Sequence, residues 1–398
     1  MTCPLTRELA NRVISNHMKI GIDIRLIGKK RTGDEAVFAN LTRALASIDR
    51  SNEYFLFTDL SFREDIRNIV ANLGLEGKDN FRIVPVASAN RYVWNFFQIR
   101  RALKKHPVDV YLTQYITPFF IPRRIKIATI VHDISFTAFP QLIKFSDRFF
   151  LALLMRLSLR RADLVVAVSE FTRREIIRHY ALVAKKIAVV PNAVGEDVLG
   201  RKVEKGEVLA VKQRYGIEGD YILYLGTLQP RKNIAFLIEA FAKLKKKMPD
   251  AKLVIAGGRS AHNVDKEIDE VARKLSLEKS VIFTGYVEET EKAPLLAGAR
   301  VFAFPSLYEG FGIPILEAFA AGVPVVASDI EVLREVGADA ALYADPRSLD
   351  GFADSLYAAY VDVEMRKRLT EAGKARVSFF SWEKSARRAR SLFEGLAE

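Results

Sequence analysis

The feature that most constrains the fold of this chain is a regular alternation of short apolar segments with longer amphipathic ones. The short segments are rich in β-branched and aromatic residues, which is typical of buried strands. In the first half they cover residues 19–27, 53–58, 81–86, 108–113, 125–133, 164–169 and 187–192. Because strands separated by helices pair in parallel through right-handed crossovers, this half predicts an α/β domain with a mostly parallel sheet.

The alternation stops over residues 193–219, a charged stretch that contains several glycines, and then begins again. The strands predicted beyond it cover residues 221–226, 253–258, 281–286, 301–306 and 323–328. The helices with the clearest pattern cover residues 37–48, 234–248 and 264–275. The sequence therefore predicts two α/β lobes joined by a linker, with a ligand cleft at the carboxyl ends of the strands.

The net charge of +13 lies almost entirely in the first half, since residues 1–200 carry +12 and residues 201–398 carry +1. A basic half suits nucleic acid, an anionic lipid surface or a phosphorylated substrate, and it is also compatible with a generally basic surface. The single cysteine, Cys3, excludes a disulfide scaffold and a cysteine-based zinc site. We expect a cytoplasmic protein.

The first 17 residues lack the apolar core of a signal peptide, and the strand pattern begins at Met18. We therefore interpret residues 1–17 either as an extension that activity does not need or as the result of a misplaced start. No apolar run approaches the roughly 20 residues of a membrane-spanning helix.

Several familiar motifs are absent, which narrows the chemistry. The sequence has no GxxxxGK[ST] phosphate loop, no GxGxxG after the first strand and no GxSxG nucleophile elbow. These absences argue against a P-loop NTPase, a standard dinucleotide dehydrogenase and a hydrolase of the elbow type. No D-x-D pair is present to hold a divalent cation against a diphosphate, so we expect no metal site and no cofactor.

Two adjacent cations, Arg231 and Lys232, lie in the loop that begins with Thr227, directly after the predicted strand that ends in Gly226. They precede a predicted helix, whose N-terminus favours anions. Arginine offers a planar fork and lysine a point charge, and both suit phosphate. The alternative interpretation of this fragment is a solvated, charged turn.

A second chemical feature is the stretch of residues 306–318, which follows an apolar strand. Glu309 lies in its loop, and Glu317 lies eight positions later on a mostly apolar helix, where a carboxylate needs a partner. Gly310 and Gly312 allow a close approach of ligand to backbone N–H groups. Taken alone, Glu317 is also compatible with an ion-paired helix residue.

Together these features resemble the E-x7-E motif of the retaining glycosyltransferases of family 4, and the similarity extends from residue 18 to about residue 395. The matching segments are VHDIS, ADLVVAVSEFTRREI, VVPNAV, YLGTLQPRKNI, LVIAGG, VIFTGYV, GVPVVASDI and FSWEKSA. The resemblance implies the GT-B fold, two facing Rossmann-like domains with the active site between them. The domains it implies are an N-terminal acceptor-side domain (18–195), a linker (196–219), a nucleotide-sugar-binding domain (220–375) and a C-terminal helix returning toward the first domain (376–398).

The resemblance also implies the roles of individual residues. Glu317 matches the glutamate that binds the ribose hydroxyls, Glu309 the one near the transferred sugar, and His132 the histidine that hydrogen-bonds that sugar. Arg231 and Lys232 match the residues that hold the diphosphate. The implied catalytic residues are His132, Arg231, Lys232 and Glu309. The implied donor-binding residues are Gly33, Gly226, Thr227, Arg231, Lys232, Tyr286, Val287, Glu309, Gly310, Phe311, Gly312 and Glu317. Read without the resemblance, His132 at a strand end is compatible with a structural role.

Two positions depart from the family pattern. Many relatives carry arginine directly after the strand glycine, where this chain has Thr227, and they carry a second glycine in the first loop, where this chain reads Thr32-Gly33-Asp34-Glu35. The segment GTLQPRKN resembles that of a mannosyltransferase-like subset of the family. The resemblance thus implies metal-independent transfer of a hexose, with mannose from GDP-mannose favoured and a UDP-sugar as the other donor. The acceptor it implies is a glycan or a lipid-linked acceptor in cell-surface polysaccharide synthesis.

Other functions remain open at the level of the sequence. One is a nucleotide-sugar epimerase or a phosphorylase of the same fold, and another is nucleic-acid binding by the basic half, for which no motif is present. Residues 91–106 and 146–161 combine cations with large apolar side chains, a pattern of helices that lie on anionic membranes. Packing of those apolar side chains into the core is the alternative.

Overall fold

The computed structural model describes residues 17–29, 33–138, 145–259, 265 and 267–397. Within these residues the chain forms two lobes, each built on a parallel sheet flanked by helices. The predicted α/β class with two Rossmann-like lobes is confirmed. The predicted extension, residues 1–17, lies outside the described residues apart from residue 17.

The first lobe contains a sheet whose described strands lie in the order β3-β2-β1-β4-β5-β6-β7, all parallel. The strands are β1 (Lys19–Asp23), β2 (Glu53–Thr58), β3 (Phe81–Pro85), β4 (Val110–Gln114), β5 (Lys126–Val131), β6 (Leu164–Ala167) and β7 (Ile187–Val189). The helices are α1 (Gly33–Ile48), α2 (Arg63–Leu73), α3 (Arg91–Val93), α4 (Ile99–Lys105), α5 (Ser135–Ala138), α6 (Phe145–Arg161) and α7 (Glu170–Tyr180). A π-helical turn, Trp94–Gln98, joins α3 to α4, and a 3-10 turn covers Ala184–Lys186.

The second lobe contains a sheet whose described strands lie in the order β10-β9-β8-β11-β12-β13, again all parallel. The strands are β8 (Tyr221–Leu225), β9 (Lys252–Ala256), β10 (Val281–Gly285), β11 (Val301–Phe304), β12 (Val325–Ser328) and β13 (Ala341–Ala344). The helices are α8 (Lys205–Arg214), which precedes the sheet, α9 (Ile234–Lys247), α10 (Glu267–Lys274), α11 (Glu289–Ala297), α12 (Ile313–Ala320), α13 (Glu331–Gly337), α14 (Leu349–Val361), α15 (Val363–Val377) and α16 (Trp382–Ala397). A 3-10 turn, Pro230–Lys232, lies between β8 and α9.

The strand order places the functional edge of each sheet. In the first lobe β1 pairs with both β2 and β4, so Ile20 and Ile22 are buried and the strand is an apolar run. The order reverses between β1 and β4, and in the second lobe between β8 and β11. Ligands of such sheets bind outside the carboxyl ends of the strands at this reversal.

Every strand predicted from the sequence is present, most of them shorter than predicted, but two details were wrong or missed. The sequence pattern did not reveal β13, which the second sheet adds at its edge. The start of α1 was predicted at residue 37, whereas the helix begins at Gly33. Asp34 and Glu35 therefore lie in the first helical turn, where acidic side chains are stabilised by the positive end of the helix dipole.

The C-terminal helix connects the two lobes. Helix α16 packs against α1 of the first lobe, and the Ser385 hydroxyl donates a hydrogen bond of 2.6 Å to the carbonyl of Pro191. The limits of the predicted domains stay a prediction.

The basic segment of residues 91–106 presents its apolar side chains in two directions. Trp94 and Ile99 are buried in the core, whereas Tyr92 and Phe97 are exposed. Within the residues described, no helix is both long and apolar enough to cross a membrane.

Candidate active site

The first lobe contributes His132, which directly follows β5 and has a buried side chain. Its Nε2 lies 3.0 Å from Oε1 of Gln114, the last residue of β4. Its Nδ1 lies 3.9 Å from a carboxylate oxygen of Asp34, in the first turn of α1. The predicted residue Gly33 begins that helix, and an added Cβ there would have no described atom within 4 Å. These contacts place the imidazole at the carboxyl edge of the first sheet.

The second lobe contributes the two predicted cations from the turn Pro230–Lys232. The Lys232 ammonium donates to Glu309 Oε1 at 2.5 Å, and the Arg231 guanidinium donates to Glu309 Oε2 at 3.2 Å. Arg231 also donates to the backbone carbonyl of Tyr308 at 3.1 Å. Lys232 and Glu309 are buried. The two cations therefore share one carboxylate, and the alternative of a solvated turn is wrong.

Burial and charge act in opposite directions on this cluster. Burial lowers the pKa of Lys232, the neighbouring Arg231 lowers it further, and Glu309 offsets part of the effect, which leaves the pKa at about 8. Burial would raise the pKa of Glu309, but Lys232 and Arg231 hold it below its usual value. Burial would also lower the pKa of Arg231, yet Glu309 and Asp133 raise it. At neutral pH all three groups are therefore charged.

The loop of residues 309–312 approaches the first lobe closely. An added Cβ on Gly310 would lie 1.7 Å from the carbonyl oxygen of His132, so this position accommodates only glycine. Gly312 has a φ of 107° and forms the N-cap of α12. Phe311 is buried, with its ring 5.5 Å from that of Phe380 in an edge-to-face contact. The loop thus holds Glu309 beside the two cations and places Gly310 against the backbone of His132 in the first lobe.

Several hydrogen bonds connect the lobes at this loop. The carbonyl of Gly310 accepts two hydrogen bonds from the N-terminus of α7. The donors are the hydroxyl of Ser169, the N-cap residue, at 2.6 Å and the hydroxyl of Thr172, in the first turn, at 2.9 Å. The Glu335 carboxylate of α13 accepts hydrogen bonds from two backbone N–H groups at the N-terminus of α7, each at 2.8 Å. Arg231 also reaches Asp133 of the first lobe at 3.7 Å.

Glu317 lies away from this cluster, buried on α12. Its Oε1 accepts a hydrogen bond of 2.7 Å from the ammonium of Lys292 on α11. Lys292 also lies 2.5 Å from a carboxylate oxygen of Asp197. Burial would lower the pKa of Lys292, but Glu317 and Asp197 raise it above its usual value. The sequence indicated that Glu317 needs a partner and did not identify Lys292 or Asp197.

The remaining predicted residues lie at strand ends of the second sheet. Gly226 donates a backbone hydrogen bond to Ala256 at 2.9 Å, and the carbonyl of Thr227 accepts one from the hydroxyl of Tyr224 at 2.8 Å. Tyr286 is half exposed, and Val287 packs partly against the core. The contacts described above bring together His132, Arg231, Lys232, Glu309 and Gly310. Among the described residues, no group of three or more histidine, cysteine or acidic side chains could hold a metal ion.

Two family models match this chain. The model described as "Glycosyltransferase Family 4" matches residues 32–198, and the one described as "Glycosyl transferases group 1" matches residues 210–376. O-antigen chain mannosyltransferase B of Escherichia coli is 35% identical over 271 residues, which cover 67% of this chain and 69% of that protein. The serotype-specific mannosyltransferase WbdA of Escherichia coli is 28% identical over 240 residues, 60% of this chain but 29% of that longer protein.

Two solved structures show the same fold. Anabaena HepE in complex with UDP-glucose has a TM-score of 0.73 at 18% identity, covering 95% of this chain and 100% of that one. WaaG, a glycosyltransferase involved in lipopolysaccharide biosynthesis, has a TM-score of 0.70 at 17% identity, covering 94% of this chain and 100% of that one.

Removing two contacts between the lobes should open the cleft. The double variant Thr172→Val/Glu335→Ala loses one donor to Gly310 and the acceptor at the α7 N-terminus, while Ser169 still caps that helix. Each lost contact weakens the closed form by roughly 1–3 kcal/mol. We expect a larger radius of gyration in small-angle X-ray scattering.

The control is Ser158→Ala, because the Ser158 hydroxyl donates to the carbonyl of Tyr115 within the first lobe. This variant should lower the melting temperature and leave the radius of gyration unchanged. An unchanged radius in the double variant would show that these bonds do not hold the lobes together.

Proposed function

This chain belongs to glycosyltransferase family 4, and we propose that it transfers a mannosyl group from GDP-mannose to a glycan or lipid-linked acceptor in cell-surface polysaccharide synthesis. The observation that carries the proposal is the pair of partly buried Arg231 and buried Lys232, held on Glu309 at the carboxyl edge of the second sheet. The 35% identity to an O-antigen chain mannosyltransferase supports mannose as the sugar. A UDP-sugar is the competing donor.

In the proposed reaction Arg231 and Lys232 bind the diphosphate. Their charges stabilise the negative charge that grows on the leaving nucleotide as the glycosidic bond breaks, an effect that is strong in a water-poor site. Arginine presents a planar fork to phosphate oxygens and lysine a point charge, so the pair can hold two adjacent phosphates. We expect attack from the same face of the sugar, with the leaving phosphate taking the acceptor proton.

The loop of residues 309–312 and His132 are the proposed contacts of the transferred sugar. The carboxylate of Glu309 accepts hydrogen bonds from two cations, and because an ionised carboxylate offers about four lone-pair sites it keeps capacity for a sugar hydroxyl. The backbone of His132 lies against Gly310, so closely that Gly310 has no room for a side chain. Because these groups come from different lobes, the proposed transfer requires the lobes to be closed on the donor.

The experiment that tests this function is a donor screen followed by an acceptor assay. A ligand that binds only the folded protein raises the melting temperature, by the equivalent of about 2.7 kcal/mol at one hundred times its Kd. GDP-mannose should stabilise the protein more than UDP-glucose does. Preference for a UDP-sugar would overturn the assigned donor. Turnover of the donor without acceptor would favour an epimerase, and dependence on free phosphate a phosphorylase.

Glu317 is the proposed ligand of the ribose hydroxyls, so Glu317→Ala should weaken the binding of GDP and of GDP-mannose to a similar extent. Losing a charged partner of buried hydroxyls typically costs about 1.5–3 kcal/mol, which is roughly 10- to 150-fold in affinity. Isothermal titration calorimetry measures both ligands. The control Glu383→Ala removes a glutamate from an exposed helical ion pair with Arg387 and should leave both affinities unchanged. Parental affinity in Glu317→Ala would refute the ribose assignment.

Lys232 should make nucleotide binding pH-dependent. Its pKa of about 8 means that the ammonium loses its proton as the pH rises through that value, and a neutral amine attracts a diphosphate less. We expect the Kd for GDP to increase by up to about tenfold per pH unit above pH 8. Arginine stays charged, so in Lys232→Arg this increase should disappear.

Calorimetry at pH 7, 8 and 9 checks this, with the Kd of the parent divided by that of Lys232→Arg at each pH, so that titration of the nucleotide cancels. Lys243→Arg, which alters a partly exposed lysine paired with Asp350, is the control. A ratio that stays constant with pH would contradict the role of Lys232.

The first lobe is also proposed to touch an anionic membrane. Phe97 and Phe120 are 59% and 67% exposed, and they flank the stacked rings of Phe96 and Phe119, which lie 4.5 Å apart. The neighbouring helix α4 carries four cations, Arg100, Arg101, Lys104 and Lys105. Exposed aromatic rings beside cations suit the interface of an anionic bilayer.

Sedimentation with phosphatidylglycerol vesicles tests this contact. The parent should bind them and should not bind phosphatidylcholine vesicles, and Phe97→Ser/Phe120→Ser should bind at least several-fold less. Phe379→Ser, on an equally exposed ring of the second lobe, is the control. If the double variant binds as the parent does, this surface is not the contact.

A further inference from the structure

A row of three charged groups, of which Glu317 is buried and Lys292 and Asp197 are partly buried, includes a side chain of the E-x7-E helix. The ammonium of Lys292 lies 2.7 Å from Oε1 of Glu317 and 2.5 Å from Oδ2 of Asp197. Glu317 belongs to α12, Lys292 to α11, and Asp197 to the segment that connects the two sheets. The row thus joins the helix of the proposed ribose ligand to the connection between the lobes.

We infer that Lys292 is a positioning residue that orients the Glu317 carboxylate for the ribose hydroxyls, and that Asp197 holds Lys292 in place. This inference rests on the proposed function, since it assumes that Glu317 binds ribose. Lys292 itself touches neither the nucleotide nor the sugar in this assignment, so its effect passes through Glu317.

The contact with Lys292 holds one oxygen of the Glu317 carboxylate, Oε1, and leaves the other oxygen for a ligand. Among the described residues, Lys292 is the one cation whose nitrogen lies within 4.0 Å of a Glu317 oxygen. An ionised carboxylate offers about four lone-pair sites, and the ammonium occupies one of them. A glutamate held through Oε1 loses rotational freedom before the ligand arrives, so binding has less side-chain entropy to remove.

The charge balance of the row also favours hydroxyl donors. One ammonium faces two carboxylates, which leaves a net charge of −1 in a largely buried place. Because Lys292 is shared with Asp197, it does not fully neutralise Glu317. Groups that donate hydrogen bonds without carrying positive charge, such as the two hydroxyls of a ribose, satisfy the remaining acceptor capacity.

The connection between the sheets is built to bring Asp197 to this place. Residues 195–199 form a turn in which Val198 and Leu199 donate backbone hydrogen bonds to the carbonyl of Gly195. An added Cβ on Gly195 would lie 2.3 Å from Oδ1 of Asp197, so a larger residue there would displace the carboxylate. The Arg201 guanidinium donates to the carbonyl of Thr290 at 2.9 Å, which holds the same connection to α11.

The test compares a nucleotide with its form lacking both ribose hydroxyls. The probes are GDP and 2′,3′-dideoxy-GDP, or the uridine pair if the parent binds UDP more tightly, and calorimetry gives the ratio of the two Kd values. In the parent we expect a preference of roughly 10- to 150-fold for the ribose form. Lys292→Met should reduce this preference to about threefold or less, and Lys292→Arg should restore most of it.

Two further variants complete the comparison. Asp197→Asn should give a preference for the ribose form that lies between those of the parent and Lys292→Met. An undiminished preference in Asp197→Asn would show that Asp197 does not hold Lys292 in place. Lys243→Met, which breaks the ion pair with Asp350 in the same lobe, should keep the full preference. If Lys292 contributed to stability alone, Lys292→Met would weaken the binding of both nucleotides by the same factor, and the ratio of the two Kd values would stay unchanged.

The outcomes separate this inference from the proposed function. If the parent shows no preference for the ribose form, or if Glu317→Ala keeps it, the ribose assignment fails and the inference fails with it. If the parent prefers the ribose form, Glu317→Ala loses the preference and Lys292→Met keeps it, the inference alone is overturned.

Discussion

The buried ion cluster of Glu309 with Lys232 and Arg231 is the interaction on which the arrangement of the site depends. Two adjacent cations inside a protein repel one another and lose their hydration, and each is tolerated only if a carboxylate compensates it. Glu309 does so for both, at 2.5 and 3.2 Å. The loop that carries Glu309 must therefore lie against the turn Pro230–Lys232, and this pairing sets the position of the glycines that follow.

The same loop also determines how the two lobes meet. Gly310, which follows Glu309 in this loop, contacts the backbone of His132. Its carbonyl accepts hydrogen bonds from the hydroxyls of Ser169 and Thr172. The cluster that would face a diphosphate is thus one residue away from the contact between lobes. Opening the cleft would move Gly310 away from its two donors, and Arg231 from Asp133. The electrostatics of the site and the relative position of the lobes are consequently linked through a few residues of chain.

The sequence predicted what depends on local pattern. Strands such as β2 and β5 are continuous apolar runs, because both faces of a parallel sheet are covered, and such runs are visible without a structure. Strand β13 reads Ala-Leu-Tyr-Ala, too short and too poor in β-branched residues to be recognised. Gly33 was assigned to a loop because glycine is unfavourable inside helices, yet at a helix start this cost is small.

Contacts between residues far apart in the chain could not be predicted from the sequence, for a physical reason. Arg231 and Glu309 were both identified, but their contact joins residues 78 positions apart, and only the packing of β8 beside β11 brings them together. Lys292 gave no signal at all, since a lysine near the start of an acidic helix is usually solvated. Its partial burial follows from the position of α11 between the connecting segment and α12, which is a property of the assembled fold.

The two glutamates of the E-x7-E pattern differ in the charge that surrounds them, and this difference supports the two ligand roles proposed for them. Within the second lobe Glu309 lies with two cations, a net charge of +1, and Asp133 of the first lobe, 3.7 Å from Arg231, offsets that charge where the lobes meet. Glu317 lies with one cation and a second carboxylate, so that group carries −1. An excess of positive charge suits phosphate oxygens, whereas an excess of carboxylate suits hydroxyl donors. A diphosphate placed beside Glu317 would therefore meet a net negative charge, whereas Arg231 and Lys232 would attract one placed beside Glu309.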